Sequence, residues 1–243
     1  MKNRPDDYLN NGEDMSPGGS QIFRHSGHEN SDGSLPENSC VYINEICAHF
    51  DSLYPGRKVE VLHEIVSEFV HIDVHVMYPA PEDDFFVIYT TGMSDKPMNV
   101  PQELECRQDW QFAELFMCLP SSWNPAGKMT QENFWAVELL KFTARMPHMC
   151  STWLADGHTM PNGPNYEPFL AGSQLSAMIL IGANPPRGHF IADDGNRINL
   201  YSLIPLTRLE VEYKLEKGTA SLLNKLDEDG VSFVVNAFRR SAV

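Results

Sequence analysis

Basic residues are scarce in this chain. Its 243 residues hold 18 Lys and Arg against 33 Asp and Glu, a formal net charge of −15. Such a chain repels phosphate backbones, and no basic cluster occurs beyond Arg239 and Arg240, so nucleic acid is not an expected partner. Long apolar runs are also missing. None approaches the roughly 20 residues that span a bilayer, and the polar N-terminus lacks the apolar region of a signal peptide. No membrane partner is expected, and a soluble cytoplasmic location is. There are five cysteines, an odd number, with no Cys-x-x-Cys among them. A disulfide framework or redox pair is therefore not indicated, and most of these thiols sit among apolar neighbours, as buried small hydrophobes do.

Several catalytic signatures fail at a required position. His63-Glu64-Ile65-Val66-Ser67 begins like a zinc-protease motif, but its second histidine is replaced by Ser67. Gly92-Met93-Ser94-Asp95 lacks the second glycine of a nucleophile elbow. Gly127-Lys128 is followed by Met129 where a phosphate-binding loop needs a hydroxyl residue. Cys150 has His148 and His158 near it in sequence, which five scattered cysteines make a matter of chance.

The densest information lies in residues 70–98. From Phe69 to Tyr78 the residues alternate with the period of a strand. Val70, Ile72, Val74, Val76 and Tyr78 share one face. His71, Asp73 and His75 form a polar stripe on the other, bounded by Phe69 and Met77. Pro79 and Pro81 end the strand, Glu82 to Asp84 make an acidic turn, and residues 85–91 read as a second strand pairing as an antiparallel hairpin. Two residues apart on one strand face, the stripe could supply part of a metal site, about 7 Å between successive ligands. A metal-dependent enzyme using His71, Asp73 and His75 is thus the alternative to a binding role, although further ligands would have to converge from elsewhere. No cofactor is expected on the binding reading.

The rest of the chain divides into a tail and one body. Residues 1–38 are rich in Asp, Asn, Gly, Ser and Pro and cannot bury enough surface to offset the entropy of ordering. They read as a disordered acidic tail, with Ile22 and Phe23 as weak docking points. The tail holds three basic and seven acidic residues, a balance of −4, which leaves −11 for residues 39–243. That acidity serves solubility, and it also suits steering toward a basic partner.

In the body a helix is expected over 40–50, capped by Ser39, and a strand over 112–119. A helix over 131–145 follows, capped by Thr130 and stopped by Pro147. Short strands are expected at 152–154, 175–181, 197–205 and 231–235, with a hairpin turn at 193–196. Thr207 and Glu210 have the spacing of a capping box. The helix they open breaks at Gly218, resumes over 219–226 and ends near Gly230. Strands follow one another more often than they alternate with helices. The fold class is therefore α+β, a mixed β-sheet with a few packed helices. The loop over 156–166 is long, polar and stiffened by three prolines in and beside it, the kind of surface that loses little entropy on binding.

Five segments carry a family resemblance: HIDVHVMYP (71–79), TTGMSDKPM (90–98), AELFMCLPSSW (113–123), ARMPHMCSTWLADGHTMPNG (144–163) and LYSLIPLTRLEVEYKLEKG (200–218). In order and spacing they resemble the suppressor-of-fused family, in its compact bacterial form, from about Cys40 to the C-terminus. The TTGMSDKPM loop is the most specific of them. The resemblance implies the family's N-terminal-domain fold and a protein-binding role. In animals the family protein restrains transcription factors by clamping a short peptide between two domains, and this chain is similar to the first of these. A Gly-Asp-His triplet near that peptide site is similar to Asp156-Gly157-His158 here, with Asp and Gly exchanged. Compact bacterial members imply a further role, immunity proteins that neutralise toxins. The expected contact surface comprises His71, Asp73, His75, Met93, Asp95, Asp156, His158 and Tyr166, facing a protein partner such as a basic toxin.

Overall fold

A computed structural model of the chain describes residues 15–24, 41–65, 67, 69–123, 130–183 and 187–243. A helix α1 (Ile43–Leu53) leads into the strands β1 (Val59–Leu62), β2 (Asp73–Met77), β3 (Phe85–Thr91) and β4 (Phe112–Pro120). A long helix α2 (Gln131–Met149) precedes β5 (Thr159–Pro161), β6 (Leu175–Gly182), β7 (His189–Ile191) and β8 (Arg197–Thr207). Two helices, α3 (Arg208–Lys217) and α4 (Thr219–Glu228), end the regular structure.

The strands form one sheet in the order β1-β2-β3-β4-β8-β6-β5, with β7 also pairing β8. All pairings are antiparallel except β4 with β8, which is parallel. A parallel pair needs a crossover, and α2 lies within it. The expected mixed sheet with packed helices is the fold observed.

Both faces of the sheet are covered. On one, Val74, Ile88, Leu115 and Leu203 pack with Val137, Leu140 and Ala144 of α2. On the other, Ile46 and Phe50 of α1 pack on Met77, Val87 and Tyr89, and the Phe50 and Tyr89 rings stack at 3.9 Å. A third cluster joins Ala177, Ile179 and Leu206 to Val211, Leu222 and Leu226 of α3 and α4.

Local signals are met closely in some places. The second strand of the hairpin spans Phe85–Thr91, and its register pairs Asp73 with Thr91 and Met77 with Val87. Thr207 Oγ1 accepts from the Glu210 N–H at 3.3 Å while the Glu210 carboxylate accepts from the Thr207 N–H at 2.8 Å, completing the capping box. Elsewhere tertiary context decides. The first strand begins only at Asp73, because Phe69 has a left-handed φ of 66° that no strand accommodates. α1 starts at Ile43 with no side-chain cap, and Ser39 lies outside the described residues. Thr130 makes no side-chain cap to α2 either. α2 runs past Arg145 and contains Pro147, which sits in the last turn where little helix remains to be disrupted. Residues 152–154 are irregular, and the last expected strand is reduced to a bridge between Cys118 and Val234. The tail expected over 1–38 lies mostly outside the described residues, but 15–24 are placed, and the Gly18 N–H donates to the Leu215 carbonyl at 2.7 Å.

Candidate contact surface

The 92–98 loop is organised from below by one buried acid. Glu114 stands alone among apolar residues of β4 and is fully buried. It accepts from the N–H of Gly92 (3.0 Å) and of Ser94 (3.0 Å), and from the hydroxyls of Ser94 and Thr90 (both 2.6 Å). Burial raises its pKa to about 7, against the pull of the Ser94 and Thr90 bonds. Gly92 takes φ 105°, and a Cβ there would lie 1.8 Å from the His71 carbonyl oxygen, so only glycine fits. The loop thus continues as a short 3-10 turn over Met93–Asp95. Met93 points inward and is 0 % exposed, and Asp95 accepts from the Val41 N–H at 2.9 Å.

This loop is tied to the chain that leads to 156–166. The Asn99 N–H donates to the Thr152 carbonyl at 3.0 Å, and His148 Nε2 lies 3.0 Å from the Met93 carbonyl. Phe69, Lys96, Pro97, Pro147, His148 and Ser151 line an open cavity of about 320 Å³ between them. Lys96 Nζ donates to the Phe69 carbonyl at 2.7 Å.

The 156–166 segment is a series of turns attached to β6. The Gly157 N–H donates to Leu180, and Asp156 Oδ1 accepts from the Gly182 N–H at 2.7 Å. Asp156 is otherwise exposed. His158 packs edge-on against Trp153, with ring centres 4.8 Å apart, and burial lowers its pKa to about 4. Asn162 closes the next turn through Glu167, and Tyr166 follows with φ 57°. The Arg208 guanidinium lies over the Tyr166 ring at 5.3 Å. Asp156, His158 and Tyr166 are therefore on one segment held between β6 and α3.

The polar stripe of β2 is elsewhere and largely enclosed. His75 is 3 % exposed beneath α1, stacked on Tyr89 at 4.8 Å. Its ring nitrogens lie 3.7 Å from Cys47 Sγ and 3.1 Å from Thr91 Oγ1, and burial lowers its pKa to about 4. Asp73 is buried and accepts from His63 Nδ1 (2.8 Å), His71 Nε2 (3.0 Å) and the Glu64 N–H (2.8 Å). Glu64 in turn pairs with Arg145 of α2. His71 also meets Ser67 Oγ at 2.6 Å. These groups pin the approach to β2 against α2. Among the described residues, no three His, Cys, Asp or Glu side chains are disposed to hold a metal ion. Asp156 is exposed and Asp95, His158 and Tyr166 are partly buried, whereas His75, Asp73 and Met93 are interior.

Glu114, Trp153 and Arg208 went unnoticed in the sequence. A lone carboxylate inside an apolar strand is the signal that would have marked Glu114. Trp153 and Arg208 acquire their roles only through packing.

These features define an α+β domain built on a mixed sheet, with polar turns fixed above its buried loops. A family model described as Suppressor of fused protein (SUFU) matches residues 69–240, and the chain belongs to that family. Solved structures agree on the fold. A SUFU homologue from Neisseria gonorrhoeae superposes with a TM-score of 0.60 at 18 % identity, over 83 % of this chain and 97 % of that one. A chain of the Sufu–Fu complex gives 0.60 at 15 % identity, over 84 % and 93 %. Drosophila Suppressor of Fused gives 0.59 at 14 % identity; 85 % of this chain is covered but only 52 % of that one. A search of curated proteins returned no match. No helix among the described residues is long and apolar enough to cross a membrane.

Proposed function

We propose that this chain is a non-enzymatic protein-binding domain whose contact surface joins the 92–98 loop to the 156–166 segment. The supporting observation is that a Sufu chain of the same fold was solved in complex with a protein, Fu. The surface carries Asp95 and Asp156 as outward charges and Tyr166 as a half-buried aromatic. Interfaces concentrate their energy in such anchors. The acidic body suits a basic partner in the cytoplasm, and a toxin neutralised by this chain as an immunity protein is the specific form of this reading.

Affinity capture from the native cell, followed by binding kinetics on variants, tests it. Asp95→Asn and Asp156→Asn should slow association, more so at low salt. Tyr166→Ala should speed dissociation. If all three stay folded and bind the captured partner like the parent, the surface is wrong. If the purified protein turns over a substrate, the binding-domain reading falls.

A further inference from the structure

Residues 15–24 are seated on the body beside the 156–166 segment. The segment is a self-contained turn. Met15 and Gln21 form an antiparallel bridge, the Ser16 N–H donates to the Ser20 carbonyl at 2.8 Å, and Ser16 Oγ accepts from the Ser20 N–H at 3.0 Å. At its tip, the Gly18 N–H donates to the carbonyl of Leu215, one of the last four residues of α3. Carbonyls in the last turn of a helix lack an ordinary intrahelical partner; that of Lys214 accepts from the Gly218 N–H, and that of Leu215 accepts from the turn.

The fit at the tip is glycine against glycine. A Cβ on Gly18 would lie 2.4 Å from the Gly218 nitrogen and 2.8 Å from the Lys214 carbonyl oxygen. A Cβ on Gly218 would lie 3.0 Å from the Gly18 carbonyl oxygen. Farther along, the Phe23 ring lies 6.2 Å from the His158 ring. The two ends of the seat are continuous. Gly157 faces Thr219, where a Cβ would be 3.4 Å from Thr219 Cγ2, and Lys214 Nζ donates to Thr159 Oγ1 at 3.2 Å.

We propose that this seat, formed by the end of α3, Gly218, Thr219 and His158, is a peptide-docking surface that the chain closes with its own residues 15–24. Its chemistry selects a glycine turn that offers an N–H to the α3 carbonyls, followed five residues later by an aromatic for His158. Because the turn is held by its own hydrogen bonds, it can leave and return as a unit. A partner that uses His158 must displace Phe23. That last step rests on the partner surface proposed above; the docking itself does not.

The test uses the full chain and a labelled peptide of residues 15–24. Gly18→Ala should unseat the segment, because even one methyl has no room. Hydrogen exchange at 155–159 and 214–219 should then quicken, with melting still cooperative. The labelled peptide should bind this variant saturably, with apparent affinity for the parent about tenfold weaker or more, since its seat is filled. Phe23→Ala should show the same direction and serves if Gly18→Ala does not fold. Unchanged exchange in folded variants overturns the proposal, and so does an opened variant that does not take the peptide. If the peptide seats but a captured partner binds parent and Gly18→Ala equally, the shielding of the partner surface is overturned. Loss of the proposed contact surface would show differently, as Asp156→Asn and Tyr166→Ala having no effect on that partner while the peptide still seats.

Discussion

The Glu114 carboxylate accepts from the Ser94 N–H at 3.0 Å and from its hydroxyl at 2.6 Å, so a group buried in the sheet sets the backbone of a surface loop. The same carboxylate fixes Gly92, and through it the close passage of the loop over the His71 carbonyl. The loop is therefore part of the fold and keeps its shape without a partner.

Replacing Glu114 with alanine should be among the most damaging single changes in the chain. It leaves the Gly92 and Ser94 amides buried without an acceptor, and each such group costs roughly 1–3 kcal/mol. A loss of about 3 kcal/mol or more is expected by urea denaturation. Glu114→Gln should retain part of that, since an amide oxygen still accepts.

The pH dependence of Glu114 has a defined sign. Its folded pKa, raised by burial to about 7, lies above the ordinary glutamate value of 4.5. Its contribution to stability is fully present below about 4.5 and is lost as pH rises through about 7. In Glu114→Gln, stability should lose this decline. A parallel pH profile for parent and variant between pH 4.5 and 7 would contradict it.

Three histidines act in the opposite direction. Burial lowers His75, His148 and His158 from 6.5 to about 4. Each contributes stability that is present above about 6.5 and lost as pH falls through about 4. Three such groups outweigh the single Glu114, so the urea midpoint should fall on acidification from pH 6.5 to 4. His75→Gln should reduce the slope in that window.

Gly92→Ala should be strongly destabilising. The backbone is left-handed there, and the new methyl meets a carbonyl oxygen of a neighbouring segment that cannot move without dislodging β2. The expected loss exceeds about 2 kcal/mol, measured as a lowered melting temperature, whereas Gly19→Ala, with open space at its Cβ, pays for its φ alone.

Thr207→Ala removes the acceptor of the capping box and should cost about 1–2 kcal/mol. Partner binding by the folded fraction should not change, because the cap lies inside the fold. Arg239→Ala should cost more. Arg239 donates to both Glu210 carboxylate oxygens, at 2.5 and 2.8 Å, and its removal leaves a buried charge without its cation, worth roughly 3–5 kcal/mol.

What the sequence determined by itself was local. The run of aromatic and β-branched residues at 85–91 and the Thr207–Glu210 spacing each act within one strand or one helical turn, and each appears where expected, while the alternation read over 69–78 yields a strand only over Asp73–Met77. The choice of a mixed sheet with packed helices followed from their order. Tertiary structure decided which faces are wet. The His71-Asp73-His75 stripe reads as an open polar face, yet α1, from 28 residues upstream of His75 at Cys47, folds over it and makes His75 a core residue. Met93 reads as an exposed anchor, but Glu114, over 20 residues downstream, draws the loop inward and buries it. The docking of Gly18 on Gly218 joins opposite ends of the chain. Burial is set by which surfaces meet, and those meetings are long-range. A local pattern can state that a face is polar, but only the packed structure places it against water or against another helix.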